Sequence, residues 1–398
     1  MAQLFGCCRV VANDFIAANR NNHRAGRPYQ SAYALQAELL TQAKKKPERA
    51  WLGDVAYEAL KQSLRDADTG YRNFFNSTKG KRAGKKLGAP KFKSKHGKQS
   101  ARFVGKIKVR TNAKVGFVYL PKIGWVRFNL SRALPSTPSS VTLIRKPDGR
   151  FFVSFVVGVP TSDSPPKYDR VAALDVGVSS TAIVYSDGTR EKLTPPKPLK
   201  RRLKKLRRMQ KSLARKQRGS NARTKQRIKV ARLHARVADI RTNHNHKTTS
   251  RLVGENQTIC LEALNISDLI SQVGVKGRAG RHIRRAYADV GLGQFLTLLK
   301  AKAREHGRDI VAVNPAGTTT TCSVCGGSNP RLPLTKRVWG CEGCGSHLDR
   351  DYNAAVNILV AAGQAETLNA GGADVRLGLA QAVGVETRTH RTELRLVA

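Results

Sequence analysis

The chain has 398 residues, room for two or three domains, and its 73 Lys plus Arg against 27 Asp plus Glu give a formal net charge of +46. That excess repels itself unless a polyanion neutralises it, and nucleic acid fits that role, although a merely solvated basic surface of ribosomal type stays open on charge alone. No apolar run approaches the roughly 20 residues of a bilayer span, no secretory signal opens the chain, and seven cysteines with two clustered pairs argue for a metal in a reducing compartment, so a cytoplasmic protein is expected.

Residues 1–78 read as mainly helical, with Leu60, Leu64, Ala67, Tyr71 and Phe74 recurring on one helix face. Residues 79–100 form a basic linker, where Gly80, Gly84, Gly88 and Pro90 oppose helix and Lys91, Lys93 and Lys95 are candidate nucleic-acid contacts. From 101 to 161 the pattern turns to β. The run Phe151-Phe152-Val153-Ser154-Phe155-Val156-Val157 pairs as a hairpin with Val141-Thr142-Leu143-Ile144 across Lys146-Pro147-Asp148-Gly149. Pro160 to Pro166 reads as a linker.

A second domain is expected over 168–314. It opens with a buried strand, Val171-Ala172-Ala173-Leu174-Asp175; Gly177 allows a turn, and Thr181 to Tyr185 returns as a second strand. Residues 197–250 read as a helical hairpin broken at Gly219-Ser220-Asn221, with one apolar seam from Leu199 to Leu213 and another from Val230 to Ile240. Its segment 197–236 holds 18 Lys or Arg and no acid, so phosphate is favoured over a solvated coiled coil, with Arg201, Arg202, Lys204 and Lys205 as candidate contacts. Ile259 to Glu262 is a further strand, the polar and basic stretch 266–288 reads as a mobile loop, Leu292 to His306 as a helix, and Asp309 to Val313 as a strand. Residues 315–348 hold a cysteine cluster, 349–362 a short helix, and 363–398 read as a flexible tail.

Cys322-x-x-Cys325 and Cys341-x-x-Cys344, 15 residues apart, have zinc-ribbon spacing. Each pair makes a turn that aims two thiolates at one ion, and Gly326, Gly327, Gly343 and Gly345 let the backbone close those turns. Four thiolates leave a tetrahedral ion no open position, which makes the expected zinc structural. A pair of redox motifs would need a βαβ context, which is missing nearby.

Asp175 and Glu262 each end an apolar strand, and Asp351 opens a helix. Taken singly, each acid is explained by a strand-end ion pair or, for Asp351, by an N-cap. Taken together in so basic a chain, three converging carboxylates favour Mg²⁺, which accepts carboxylate oxygen and serves phosphodiester hydrolysis.

These residues carry a resemblance. Leu174-Asp175-Val176-Gly177, Leu261-Glu262-Ala263-Leu264 and Asp349-Arg350-Asp351-Tyr352-Asn353-Ala354-Ala355-Val356-Asn357-Ile358-Leu359 resemble the three RuvC motifs of the TnpB family. The cysteine pairs sit between the second and third motifs, as in that family. Gly88-Ala89-Pro90-Lys91-Phe92-Lys93-Ser94-Lys95 and Leu120-Pro121-Lys122-Ile123-Gly124-Trp125-Val126 are also similar to its signatures. The resemblance implies a multi-domain α+β fold: a helical recognition domain inserted in a wedge-like β-barrel, then an RNase H-like RuvC domain carrying the helical hairpin and the zinc ribbon. It implies RNA-guided DNA cleavage beside a short adjacent motif, with catalysis by Asp175, Glu262 and Asp351. Asp349 is left outside the catalytic set. The implied cofactors are structural Zn²⁺, catalytic Mg²⁺ and a guide RNA from a transposon end; the implied target is DNA.

Two positions depart from the pattern. Phe5-Gly6-Cys7-Cys8-Arg9 lies almost at the start, where the family has a strand and helix before it, so either an incomplete barrel or an upstream start is expected. Thr319-Thr320-Thr321 before Cys322 is a minor departure. A small type V CRISPR effector with an array-derived guide is an alternative identity, as is an RNA-guided binder with little cleavage, although such binders lose acids that this chain keeps. A strand-joining transposase lacks its Tyr nucleophile here, since none follows His244-Asn245-His246 suitably.

Overall fold

A computed structural model describes residues 1–159, 167–264, 277–329, 333 and 336–364. The expected linker at Pro160 to Pro166 and all of the expected tail beyond 364 lie outside the described residues. The described chain divides into two compact units, residues 1–159 and 167–364.

The first unit opens with helix α1, Ala2–Arg24, followed by the short α2, Ala32–Gln36, a π-helical turn, two 3₁₀ segments, and α3, Tyr57–Thr78. Apolar residues spaced by three or four put Val11, Phe15 and Ile16 of α1 against Leu60, Leu64 and Ala67 of α3, all buried. Asp68 is buried there with its charge satisfied: it accepts from the Tyr29 hydroxyl and pairs with Arg72. The basic linker is strapped across α1. The Asn13 side chain takes both backbone groups of Lys93, and the Arg20 guanidinium donates to the Pro90 carbonyl and lies over the Phe92 ring.

Six strands complete the unit: β1 Gln99–Val104, β2 Val109–Thr111, β3 Val115–Leu120, β4 Gly124–Asn129, β5 Ser140–Arg145 and β6 Phe151–Val156. The predicted β5–β6 hairpin is present, Val141 facing Phe155 and Ile144 facing Phe152. The expected barrel is not closed among the described residues. Strands β1-β5-β6 form one antiparallel sheet and β2-β3-β4 another, and no ladder joins the two. The helices precede all six of these strands.

The second unit is built on a five-stranded sheet of order β11-β10-β7-β8-β9. Its strands are β7 Val171–Val176, β8 Thr181–Tyr185, β9 Arg190–Leu193, β10 Thr258–Glu262 and β11 Asp309–Val313. β7, β8 and β9 run antiparallel, and β10 and β11 join β7 in parallel. Helices α4, Pro198–Ala214, and α5, Asn221–Glu255, form the predicted hairpin; α6, Gly277–Val290, and α7, Leu292–Glu305, follow β10, and α8, Arg350–Ala361, closes the unit. The strands alternate between two faces, as the two-residue period of a strand demands. Ala172, Leu174, Ile183, Tyr185, Ile259 and Leu261 pack on Leu252 of α5 and on Phe295 and Leu299 of α7. Val171, Ala173, Cys260, Ala182 and Val184 face α8, meeting Ile358 and Leu359, or Ala355 and Val356.

One sequence expectation needs correction. Composition makes residues 266–288 a mobile loop; 265–276 lie outside the described residues, but Gly277–Val290 is helical. The reason is a helical face the composition hides: Val290 is buried, and the buried Asp289 carboxylate accepts from the backbone N–H groups of Leu199 and Lys200, capping α4. Among the described residues no helix is long and apolar enough to cross a membrane.

Candidate nuclease and metal centres

Strand parity decides where the first two acids go. Asp175 shares the face of Val171 and Ala173, and Glu262 shares that of Cys260; both faces look at α8. The parallel register sets Cys260 beside Ala173 and Leu261 beside Leu174, so one residue on, Glu262 follows alongside Asp175 at the strands' C-terminal ends. Asp351 reaches the same place from the first turn of α8. The N-cap of α8 is Asp349, whose carboxylate accepts from the N–H groups of Asp351 and Tyr352 and pairs with Lys192 at 2.7 Å. Asp351 is thereby freed from capping.

Electrostatics mark this cluster as the chemically unusual point of the sheet. Burial, then the charges of Glu262 and Asp351, push the Asp175 carboxyl up to about 7. A carboxylate that neighbouring negative charge pushes towards its neutral form is one that a divalent cation would stabilise, and carboxylate oxygens suit Mg²⁺. The chemistry of the donors therefore suits that ion. Other groups orient Asp351 and Glu262. Ser180 donates to Asp351 at 3.1 Å, Arg337 to its other oxygen at 3.1 Å, and Lys192 stands 3.4 Å away. The Thr318 hydroxyl donates to Glu262 at 2.6 Å. Among the described residues the carboxylates are not gathered to within one ion's reach, whereas the four cysteines are.

The cysteine cluster is built as two matching turns. Cys322 N–H bonds to Gly327 O and Cys341 N–H to Ser346 O, while Gly326 and Gly345 bond back to Cys322 and Cys341. Gly326 and Gly345 take φ of +73° and +70°, the left-handed region that a side chain would strain. All four sulfurs lie within 4.8 Å of one another. Cys322 and Cys344 stand 3.8 Å apart and Cys325 and Cys341 3.7 Å. Zn–S bonds of about 2.3 Å in a tetrahedron require sulfurs about 3.8 Å apart, so the site fits zinc. Hydrogen bonds, led by the Cys344 backbone N–H, hold the Cys341 thiol below its usual range. Strands β12, Val338–Gly340, and β13, His347–Asp349, back the cluster with the buried Trp339.

Sequence reasoning missed the groups that join the two centres. Asn353 and Asn357 lie one helical turn apart on α8. Asn353 accepts from the Ser323 N–H at 2.8 Å and donates to Thr321 O at 2.8 Å; Asn357 donates to Thr318 O and Thr321 O. The cysteine turn is thus stapled to the helix that carries Asp351, and Thr318 in the same segment holds Glu262. The four-residue spacing of two asparagines was a usable signal. Ser180, Lys192 and Arg337 gave none.

The predicted phosphate contacts divide by exposure. Arg201, Lys204 and Lys205 are exposed on α4 and Arg202 is half-buried, while Leu206 is buried in the hairpin. Lys91 and Lys95 are exposed and Lys93 is half-buried against α1.

The chain is similar to known proteins. Residues 154–272 match a family described as "Probable transposase", and residues 293–358 match "Cas12f1-like, TNB domain". A Streptomyces pristinaespiralis protein named "Putative RNA-guided DNA endonuclease" is 33% identical over 91% of this chain and 85% of its own length. An Escherichia coli K12 protein, "Putative RNA-guided DNA endonuclease InsQ", is 32% identical over 91% of this chain and 88% of its own. Among solved structures, the Cas12f1–sgRNA–target DNA complex aligns with a TM-score of 0.52 at 15% identity, covering 90% of this chain and 81% of that one. That likeness is one of fold.

Proposed function

The chain belongs to the TnpB family of RNA-guided DNA endonucleases, and from that premise we propose that it cuts DNA by metal-dependent phosphodiester hydrolysis, directed by a guide RNA to sites beside a short adjacent motif. The observation that carries the reading is the placement of Asp175 and Glu262 side by side on the face that α8 covers, with Asp351 entering from that helix. The order and directions of the five strands support taking this unit as an RNase H-like core.

In this proposal Asp175, Glu262 and Asp351 hold one or two Mg²⁺ ions, which would supply Lewis acidity at the scissile phosphate. The chain's own part is positional. Thr318 and Ser180 orient Glu262 and Asp351, and the Asp349 cap fixes the helix start from which Asp351 projects. Lys192 and Arg337 border the carboxylates with positive charge, where a phosphate oxygen arrives. Cys322, Cys325, Cys341 and Cys344 hold a structural zinc with no open position.

Domain roles belong to the same proposal: recognition for 1–78, wedge for 101–161, RuvC for 168–314 with the hairpin 197–250, zinc ribbon for 315–348, and the last RuvC motif for 349–362. Lys91, Lys93, Lys95, Arg201, Arg202, Lys204 and Lys205 contact nucleic-acid phosphates. The chain acts in the cytoplasm, where its thiols stay reduced. Its RNA comes from a transposon end; the match to a Cas12f1-like domain is the observation that favours the second reading, an array-derived guide.

The test is direct. The protein is purified with its RNA, the RNA is sequenced and reprogrammed, and a plasmid library with a randomised flank is offered in Mg²⁺ and in EDTA. Cleavage beside one enriched motif, in Mg²⁺ only, is expected. No cleavage under any guide would refute the proposal.

A further inference from the structure

A sheet with one buried face should alternate apolar and polar residues. The meander β2-β3-β4 breaks that rule. Its inner face is ordinary: Val118 and Leu120 are buried, and the Phe128 ring lies so close over Gly116 that an added Cβ would sit 2.2 Å from it. The outer face is built from Phe117 and Tyr119 of β3, Trp125 and Arg127 of β4, and Arg110 of β2. The register sets Phe117 between Arg110 and Arg127 and Tyr119 opposite Trp125.

Phe117, Tyr119 and Trp125 are 39%, 41% and 41% exposed. Tyr119 meets Trp125 edge-on with centroids 5.5 Å apart, and the Arg110 guanidinium lies 4.5 Å over the Trp125 ring. Arg110, Phe117, Trp125, Thr111, Asn112 and Val115 line an open cleft of about 370 Å³. That volume lies in the range of small-ligand sites of roughly 300–1,000 Å³. The face carries two arginines and no acid.

We propose that this outer face is a stacking platform for unpaired bases of the guide RNA, with Arg110 and Arg127 on the flanking phosphates. It rests on the RNA-guided reading above. Exposed aromatic rings on a basic sheet can take any base through its π-face, and only unpaired bases present that face. A base pair inside a duplex does not, so the target duplex is not the occupant. RNA is recognised mainly through splayed-out bases in loops and ends. Clustered exposed rings are also an association hazard unless something covers them, and a guide RNA is the resident ligand while a displaced DNA strand is transient.

The experiment uses the full chain. First, the co-purifying RNA is labelled with 4-thiouridine and cross-linked, and the cross-linked peptides are mapped. Adducts at Phe117, Tyr119 or Trp125 are expected; adducts only outside residues 109–129 would overturn the proposal without any variant being made. Second, RNA-free protein is titrated with an in vitro copy of that RNA. Phe117→Ala and Trp125→Ala should each weaken RNA binding by about five-fold to a hundred-fold, as expected for the loss of one stacked base. The log–log salt slope should not change, because stacking releases no counterions, whereas Arg110→Gln should lower it by up to roughly the share of one neutralised phosphate. Trp125→Phe, which keeps a ring, should retain most of the affinity. Unchanged RNA affinity in both alanine variants overturns the platform while leaving RNA-guided cutting intact. A loss confined to single-stranded DNA overturns it in favour of the displaced strand. A wild-type chain that binds no RNA sinks this proposal and the RNA-guided reading together.

Discussion

Replacing Asn353 with Ala removes the staple between the zinc turn and α8. Asn353 is 2% exposed and Ser323 4%, so solvent does not reach the groups left behind. The bond to Thr321 O disappears, worth about 1 kcal/mol net, and the bond from the buried Ser323 N–H disappears with that donor left without an acceptor, at a cost of about 1–3 kcal/mol. Thr321 O keeps a donor, because Asn357 also reaches it at 2.7 Å. The sum is about 2–4 kcal/mol, falling on the junction between the ribbon and the helix rather than on the sheet. Zinc leaves such a site through local opening, so the opening equilibrium should rise by about 30-fold to 1,000-fold. The assay follows zinc release to a colorimetric chelator over time, from full-length wild type and Asn353→Ala. Release accelerated by at least an order of magnitude is expected. A rate within two-fold of wild type, with an unchanged melting temperature, would refute the staple.

Three further outcomes rest on named residues. Wild type should carry about one zinc per chain by elemental analysis, and Cys344→Ser should lose it, because a closed site needs all four thiolates. Changing Arg201, Arg202, Lys204 and Lys205 together to Gln should weaken nucleic-acid binding, and the salt slope should shrink by up to roughly 0.7–0.9 for each phosphate no longer neutralised; an unchanged slope would leave the hairpin merely solvated. Asp349→Asn should still cut DNA, since Asn caps a helix as well as Asp does, whereas Asp349→Ala should lower stability by about 1 kcal/mol in a denaturant titration.

How far the sequence could be read depended on the period of the pattern. The strands around Asp175 and Glu262 are short apolar runs whose parity places each acid on one face of its own strand, and the parallel β7–β10 register then brings the two together under α8. The cysteine spacing likewise specified the turns that Gly326 and Gly345 close. The helix Gly277–Val290 was hidden because its anchor is a buried acid, Asp289, bonded to two N–H groups 89 and 90 residues away. Long-range pairing of that kind leaves no local pattern. The same holds for Lys192 and Asp349, 157 residues apart, and for Thr318 and Glu262. The barrel expected from the resemblance is two separate sheets among the described residues, because β2-β3-β4 closes its ladder locally. Residue order alone allows Asp351 an N-cap role, which geometry gives to Asp349 two residues earlier.

The central claim is that Asp175, Glu262 and Asp351 form one catalytic set. The most direct measurement is cleavage of a guide-matched plasmid in Mg²⁺ by Asp175→Asn, run beside a footprint of the same complex on the same target. The amide keeps the shape of the side chain and removes the charge that a cation needs, while recognition rests on base pairing and backbone contacts. The account predicts a protected target and no cut. Cutting at near wild-type rate by Asp175→Asn would contradict it.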